Sequence, residues 1–180
     1  MPKIEIVWVY GASAAGKATF IRSVIAGNPA VRKEFSWENK KIGACQESLD
    51  WIAQSPDDKT TENNRRRLQS IIPALAAKYE VVLVKGQDID LAFNTPQAVR
   101  QALPAALHRI IFLDVGAEEL FERVIHKPWW RATLKRAEEE GWLQEQTDRL
   151  TDMQNSFEFT VINGRVIGHY EEEESLPSMF

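Results

Sequence analysis

The sequence predicts an α/β domain of three layers, α/β/α, with helices on both faces of a parallel sheet of roughly five strands. Three observations predict it. Short runs rich in β-branched and aromatic residues recur at Ile4–Tyr10, Glu80–Lys85, Arg109–Asp114 and Phe159–Asn163. Amphipathic helical stretches separate these runs, which gives each parallel connection its crossover. The first run stops at Gly11-Ala12-Ser13-Ala14-Ala15-Gly16-Lys17 and passes straight into a helix. In such sheets ligands bind outside the carboxyl ends of the strands. The residues expected there are Gly11, Glu47, Gly86, Asp88, Asp114 and Asn163.

Each element has its own signal. Ile4–Tyr10 is apolar throughout and ends at a glycine, as a buried strand does. Lys17 to about Ala26 carries Phe20, Ile21, Val24 and Ile25 at helical spacing, and Gly27-Asn28-Pro29 closes it. Lys40–Gln46 is a weaker strand pattern between Trp37 and Trp51. Asp57–Tyr79 reads as a helix with Leu68, Ile71, Ile72 and Leu75 on its apolar face, and Pro73 is expected to kink or divide it. Glu80–Lys85, ending at Gly86, is a buried strand.

Thr95-Pro96 opens the next helix, with proline in the first turn and Val99, Leu103 and Leu107 following. Arg109–Asp114 is a strand and Ala117–His126 an amphipathic helix. A charged helical stretch from about Trp130 to Glu140 ends at Gly141. Phe159–Asn163 is the last strand, and Asn163-Gly164 marks a turn after it.

The 180 residues suit one domain over 1–180, closed by an acidic tail at about 171–180 that contains Glu171–Glu174. Lys and Arg number 22 against 26 Asp and Glu, so the net charge is −4. That balance exerts no global pull on nucleic acid or an anionic membrane. Cys45 is the single cysteine, which excludes an intrachain disulfide and a Cys-rich metal site. His108, His126 and His169 show no ligand spacing. The N-terminal apolar run is too short to span a membrane and carries no signal-peptide pattern, so a cytoplasmic setting without membrane partners is expected.

The glycine-rich segment carries the chemistry. Small residues and two glycines let successive backbone N–H groups converge on one centre. The following helix adds partial positive charge there, and Lys17 is placed to reach β- and γ-phosphates. Gly11 through Lys17 therefore read as the cradle for a nucleoside triphosphate, ATP being the expected one. The full pattern places Ser or Thr after the lysine to ligate Mg²⁺. Here that residue is Ala18, and Thr19 follows. One step along a helix turns a side chain by about 100°, so Thr19 is expected at the α-phosphate instead. The metal ligands stay unassigned, and Mg²⁺ use is open.

With this loop, the chain resembles the small P-loop kinases, the group of nucleoside monophosphate, gluconate and shikimate kinases. The resemblance spans Ile4 to about Val166. Beside the loop it rests on Arg109-Ile110-Ile111-Phe112-Leu113-Asp114-Val115 followed by Ala117–Arg123, and on Thr160-Val161-Ile162-Asn163-Gly164. It implies a P-loop kinase-like fold and a short helical lid at about 127–145. It also implies phosphoryl transfer from ATP to a small-molecule acceptor, with Arg123 and Arg131 on the transferred charge and Asn163 beside the base. Arg136 also lies in the lid; Arg131 reads equally as part of a solvated face with Glu138–Glu140, and for Arg136 that face is the favoured reading.

The acceptor itself is not specified. Glu47 and Asp88 are the candidate groups to orient a hydroxyl or a metal-bound water, with Asp50 nearby. The chain has neither the Asp-x-Asp of the shikimate and gluconate groups nor the Glu-Arg-Ser of deoxynucleoside kinases. Lys85 stands where many relatives place an aspartate, either to hold an anionic acceptor or to reach solvent from the sheet edge. Arg65-Arg66-Arg67 leaves nucleic acid as a second class of partner, with a solvated helix face the favoured reading. Pro128-Trp129-Trp130 reads either as a cover for a base or as core. Loss of the Ser/Thr hydroxyl at Ala18 supports a third reading, a nucleotide-binding regulatory protein with weak or lost catalysis.

Overall fold

The computed structural model describes residues 3–11, 14–46, 61–86, 94–125 and 157–163. In chain order the elements are β1 (Glu5–Gly11), α1 (Lys17–Ile25), α2 (Pro29–Glu34), β2 (Ile42–Gln46) and α3 (Thr61–Ala76). They continue with β3 (Val81–Lys85), α4 (Asn94–Ala102), β4 (Leu107–Asp114), α5 (Ala117–Val124) and β5 (Glu158–Asn163). The five strands form one sheet in the order β2-β3-β1-β4-β5, and every pairing is parallel. The fold is a three-layer α/β/α sandwich.

The central position of β1 follows from its composition. A strand flanked by strands and covered on both faces must be apolar throughout. All seven of its residues are buried. Ile6, Trp8 and Tyr10 join Leu68, Ile72 and Leu75 of α3 and Val99 of α4 in one core. Val7 and Val9 point the other way, to Phe20, Ile21 and Val24 of α1 and Leu120 of α5. The period of two along the strand thus divides the core into two layers.

Most elements match their sequence signals within two residues. α4 ends at Ala102, so Leu103 and Leu107, expected on it, lie beyond it, and Leu107 opens β4 instead. Two further helices also differ. α2 falls where Gly27-Asn28-Pro29 reads only as the end of α1. The same residues also begin a helix: the Asn28 side chain accepts from the N–H groups of Ala30 and Val31, and Pro29 occupies the first turn. α3 runs through Pro73 as one helix, so of the expected kink or division the division does not occur, and it ends at Ala76 rather than Tyr79. Proline forfeits one backbone bond near the end of a helix whose Leu68, Ile72 and Leu75 are buried on the sheet. The helix bonding resumes beyond it, with Ala77 N–H donating to the Pro73 carbonyl at 3.1 Å.

The amino edge of the sheet is locked by a buried ion pair. Glu5 meets Arg109 at 3.1 Å and Lys40 at 3.5 Å, and accepts from the Trp37 indole N–H at 2.9 Å. Arg109 also lies over the Phe35 and Trp37 rings and pairs with Glu158. These contacts tie β1, β4, β5 and the turn after α2 at the edge opposite the glycine-rich loop. The carboxyl edge is left to other groups.

Candidate functional site

β1 delivers Gly11 to the carboxyl edge beside Leu113 of β4. The two strands are so close that a Cβ at Gly11 would lie 2.9 Å from the Leu113 carbonyl oxygen and 3.0 Å from the Ala15 Cβ. The chain turns on two left-handed residues, Ala14 (φ 64°) and Gly16 (φ 95°). Gly16 takes that conformation without the Cβ penalty, whereas Ala14 does so at a cost of about 1–2 kcal/mol. Such strain persists only where surrounding contacts hold it.

α1 then begins at Lys17 with no side-chain cap from Gly16 and no acidic residue in its first turn. Both features would stabilise an ordinary helix start. Their absence leaves the partial positive charge of the helix end uncompensated by a carboxylate of its own. The first intrahelical bond runs from Phe20 N–H to the Gly16 carbonyl at 2.8 Å, so the amides before it have no partner within the helix.

Lys17 closes the loop on itself. Its Nζ donates to the Gly11 carbonyl at 2.7 Å, and the residue is only 5% exposed. Ala18 is fully buried and Thr19 half-buried. Arg123, on the last turn of α5, approaches the same loop from another side. Its Nη1 donates to the Ala15 carbonyl at 3.1 Å and to the Ala14 carbonyl at 3.3 Å, while Nε donates to Glu119 at 3.1 Å. Arg123 is 6% exposed, and its Nη1 lies 3.6 Å from where a Cβ on Gly16 would be. Two buried cations and a helix amino end therefore converge on one loop. An arrangement of that sign and shape suits a polyanion.

The rest of the carboxyl edge is built from β2, β3, β4 and β5. Lys85 ends β3 in register with Gln46 and Val9, and is half-buried. Of the arginine triplet, Arg67 donates through Nη2 to the Gln46 carbonyl at 2.6 Å, at the end of β2, while Arg66 is exposed. Gly86 lies under the Tyr10 ring, which occupies the space a side chain there would need. That close approach explains the glycine without reference to a ligand. Asn163 of β5 pairs in register with Asp114 of β4, so it sits two strands from β1, the loop's own strand.

The structure thus brings together Gly11, Ala14, Ala15, Gly16, Lys17 and Arg123. It places Ala18 and Thr19 in the first turn of α1 and holds Asn163 apart on β5. Ala12, Ser13, Glu47, Asp50, Asp88, Trp129, Trp130, Arg131 and Arg136 lie outside the described residues, as do the lid and the acidic tail. Glu119 is the contributor that sequence reading passed over. Its signal was the i,i+4 spacing to Arg123 on one helix. Among the described residues no group of three or more His, Cys, Asp or Glu side chains could hold a metal ion. Among them, too, no helix is long and apolar enough to cross a membrane.

No family model and no curated protein matches the chain. Solved structures do. A shikimate kinase from Bacteroides thetaiotaomicron is 13% identical with a TM-score of 0.46, over 89% of this chain and 86% of that one. A shikimate kinase from Acinetobacter baumannii, in complex with shikimate, is 16% identical with a TM-score of 0.42, over 98% and 86%. A gluconokinase from Sinorhizobium meliloti is 16% identical with a TM-score of 0.47, over 90% and 82%. The chain's own sheet is parallel, with the glycine-rich loop following its central strand.

Proposed function

We propose that residues 11–17 hold the phosphates of a nucleoside triphosphate and that the protein transfers a phosphoryl group to a small-molecule acceptor. One observation carries the reading. Lys17 is buried at the start of an uncapped helix, with its ammonium held on the Gly11 carbonyl at the far end of the same loop. An ammonium held by a carbonyl oxygen gains more from phosphate oxygens, which are charged. The nucleotide, ATP by expectation, would supply the phosphoryl group when bound.

The chain's own residues have separate tasks in this reading. Lys17 would leave Gly11 and neutralise the outer phosphates. Thr19, one step round the helix from Ala18, would meet the inner phosphate. Arg123 and Arg131 would counter charge on the transferred group, and Glu47 or Asp88 would orient the acceptor. Asn163 would lie towards the base.

The test is a screen of small hydroxyl and phosphate acceptors with ATP and Mg²⁺, run beside Lys17→Ala. Turnover of one acceptor that the variant loses supports the kinase reading. Equal, background turnover of every acceptor by both proteins defeats it.

Ala18 favours a second reading. It is fully buried and has no hydroxyl where a metal ligand is usual. A nucleotide-binding protein without efficient transfer would bind ATP with little Mg²⁺ dependence and phosphorylate none of the acceptors.

A further inference from the structure

Arg123 touches the loop on its carbonyl side. A peptide's C=O and the N–H of the next residue belong to one planar unit and point in opposite directions. The Ala14 carbonyl shares its unit with the Ala15 N–H, and the Ala15 carbonyl with the Gly16 N–H. Drawing both carbonyls toward one guanidinium nitrogen, at 3.3 and 3.1 Å, turns both N–H groups the other way. Ala14, whose carbonyl takes one of these bonds, is itself in the left-handed conformation. Glu119, one helical turn back, fixes the guanidinium through Nε at 3.1 Å.

We infer that the Glu119–Arg123 pair is a positioning device that sets the Ala15 and Gly16 amides toward a bound polyphosphate. The inference rests on the phosphate-loop reading and departs from it at Arg123. In place of neutralising transferred charge, this arginine acts through backbone carbonyls, and a carboxylate helps it to do so. The sequence pairs an acidic residue with the site that a simple charge argument would exclude. If Arg123 served only as a cation near the anion, Glu119 would oppose binding, and its removal would tighten it. If Arg123 is a brace, losing Glu119 loosens the brace and binding weakens. The two roles differ in sign.

Inorganic tripolyphosphate is the probe, because it has no base or sugar, and ATP is titrated in parallel by calorimetry. The proteins are wild type, Lys17→Ala, Arg123→Ala and Glu119→Ala. Arg123→Ala is expected to weaken both ligands by a similar factor, roughly 10- to 100-fold. Glu119→Ala, at a half-buried pair, is expected to weaken both by about two- to five-fold. Its melting temperature stays within about 2 °C of wild type, which separates positioning from a general loss of stability. Tighter or unchanged tripolyphosphate binding in Glu119→Ala overturns the inference, even if Arg123→Ala does not fold. So does an Arg123→Ala loss confined to ATP, which would place the arginine at the base. Equal binding by wild type and Lys17→Ala defeats the phosphate-loop reading itself, and the inference falls with it.

Discussion

Gly11 and Gly16 bracket the loop for different physical reasons, and alanine at each position tests them separately. At Gly11, space adds to a φ of 154°: a Cβ would press on the Leu113 carbonyl at 2.9 Å and on Ala15 at 3.0 Å. Backbone cannot swing aside as a side chain does, so Gly11→Ala is expected to cost about 1–3 kcal/mol by forcing β1 and β4 apart. At Gly16 the nearest atom is 3.6 Å away, and the obstacle is φ at 95°. Gly16→Ala is expected to cost about 1–2 kcal/mol from backbone strain alone. Urea unfolding measures both, and amide exchange along β4 separates them. Faster exchange should follow Gly11→Ala only. The glycines, Lys17 and Ala18 were legible because the motif is continuous in sequence. Arg123 was legible as a residue, but its contacts were not. It lies 108 positions from Ala15, and no spacing rule connects a helix side chain to a distant loop carbonyl.

Among elements, β1 and β4 carry buried charge at their amino ends. Glu5 is 2% exposed and holds Arg109, Lys40 and Trp37 together. Glu5→Gln keeps the shape and an acceptor for Trp37 while leaving the Arg109 charge to Glu158 among the described residues. The expected loss is about 3 kcal/mol, measured by urea unfolding, and a loss below about 1 kcal/mol would show that solvent already screens the pair. β4 contributes a second group there. Burial, the larger effect, and the nearby Arg100 lower the His108 pKa from its ordinary 6.5, against the raising effect of its bond to the Leu103 carbonyl. The unfolded chain therefore binds this proton at a higher pH than the folded chain. The resulting stability is complete above about pH 6.5 and declines as pH falls below it. Unfolding free energies from about pH 7.5 down to 5.5 should fall less steeply in His108→Gln than in wild type. Equal slopes would reject the assignment. Strand positions were legible from apolar runs, but neither Glu5 nor His108 could be read as buried, because burial of a polar residue depends on partners from other elements.

At the scale of the whole molecule, the parallel sheet separates two kinds of charge. Its amino edge satisfies charges internally, and its carboxyl edge gathers Lys17, Arg123 and the start of α1 around backbone carbonyls. Alternating strands and helices made the layered fold legible, yet not the placement of β3 between β2 and β1, which no local pattern encodes. The separation has a consequence for stability. A ligand that binds only the folded chain at the carboxyl edge adds about 2.7 kcal/mol at a hundred times its dissociation constant. For a domain of this size that raises the melting temperature by roughly 5–11 °C. The Glu5 network lies at the opposite edge, so Glu5→Gln should melt lower without ligand and still show the full ATP shift. Lys17→Ala should melt near wild type and show almost none. Magnesium sharpens the comparison. With Ala18 in place, adding Mg²⁺ is expected to change the ATP shift little, whereas Ala18→Ser supplies a hydroxyl at the usual metal position and should enlarge the Mg²⁺-dependent part. Thermal melts of the four proteins, with ATP alone and with ATP and Mg²⁺, measure all of these effects together. An ATP shift that survives Lys17→Ala would move nucleotide binding away from the loop. A Mg²⁺ effect of equal size in wild type and Ala18→Ser would mean that the metal is held by other residues, leaving Ala18 without consequence for turnover.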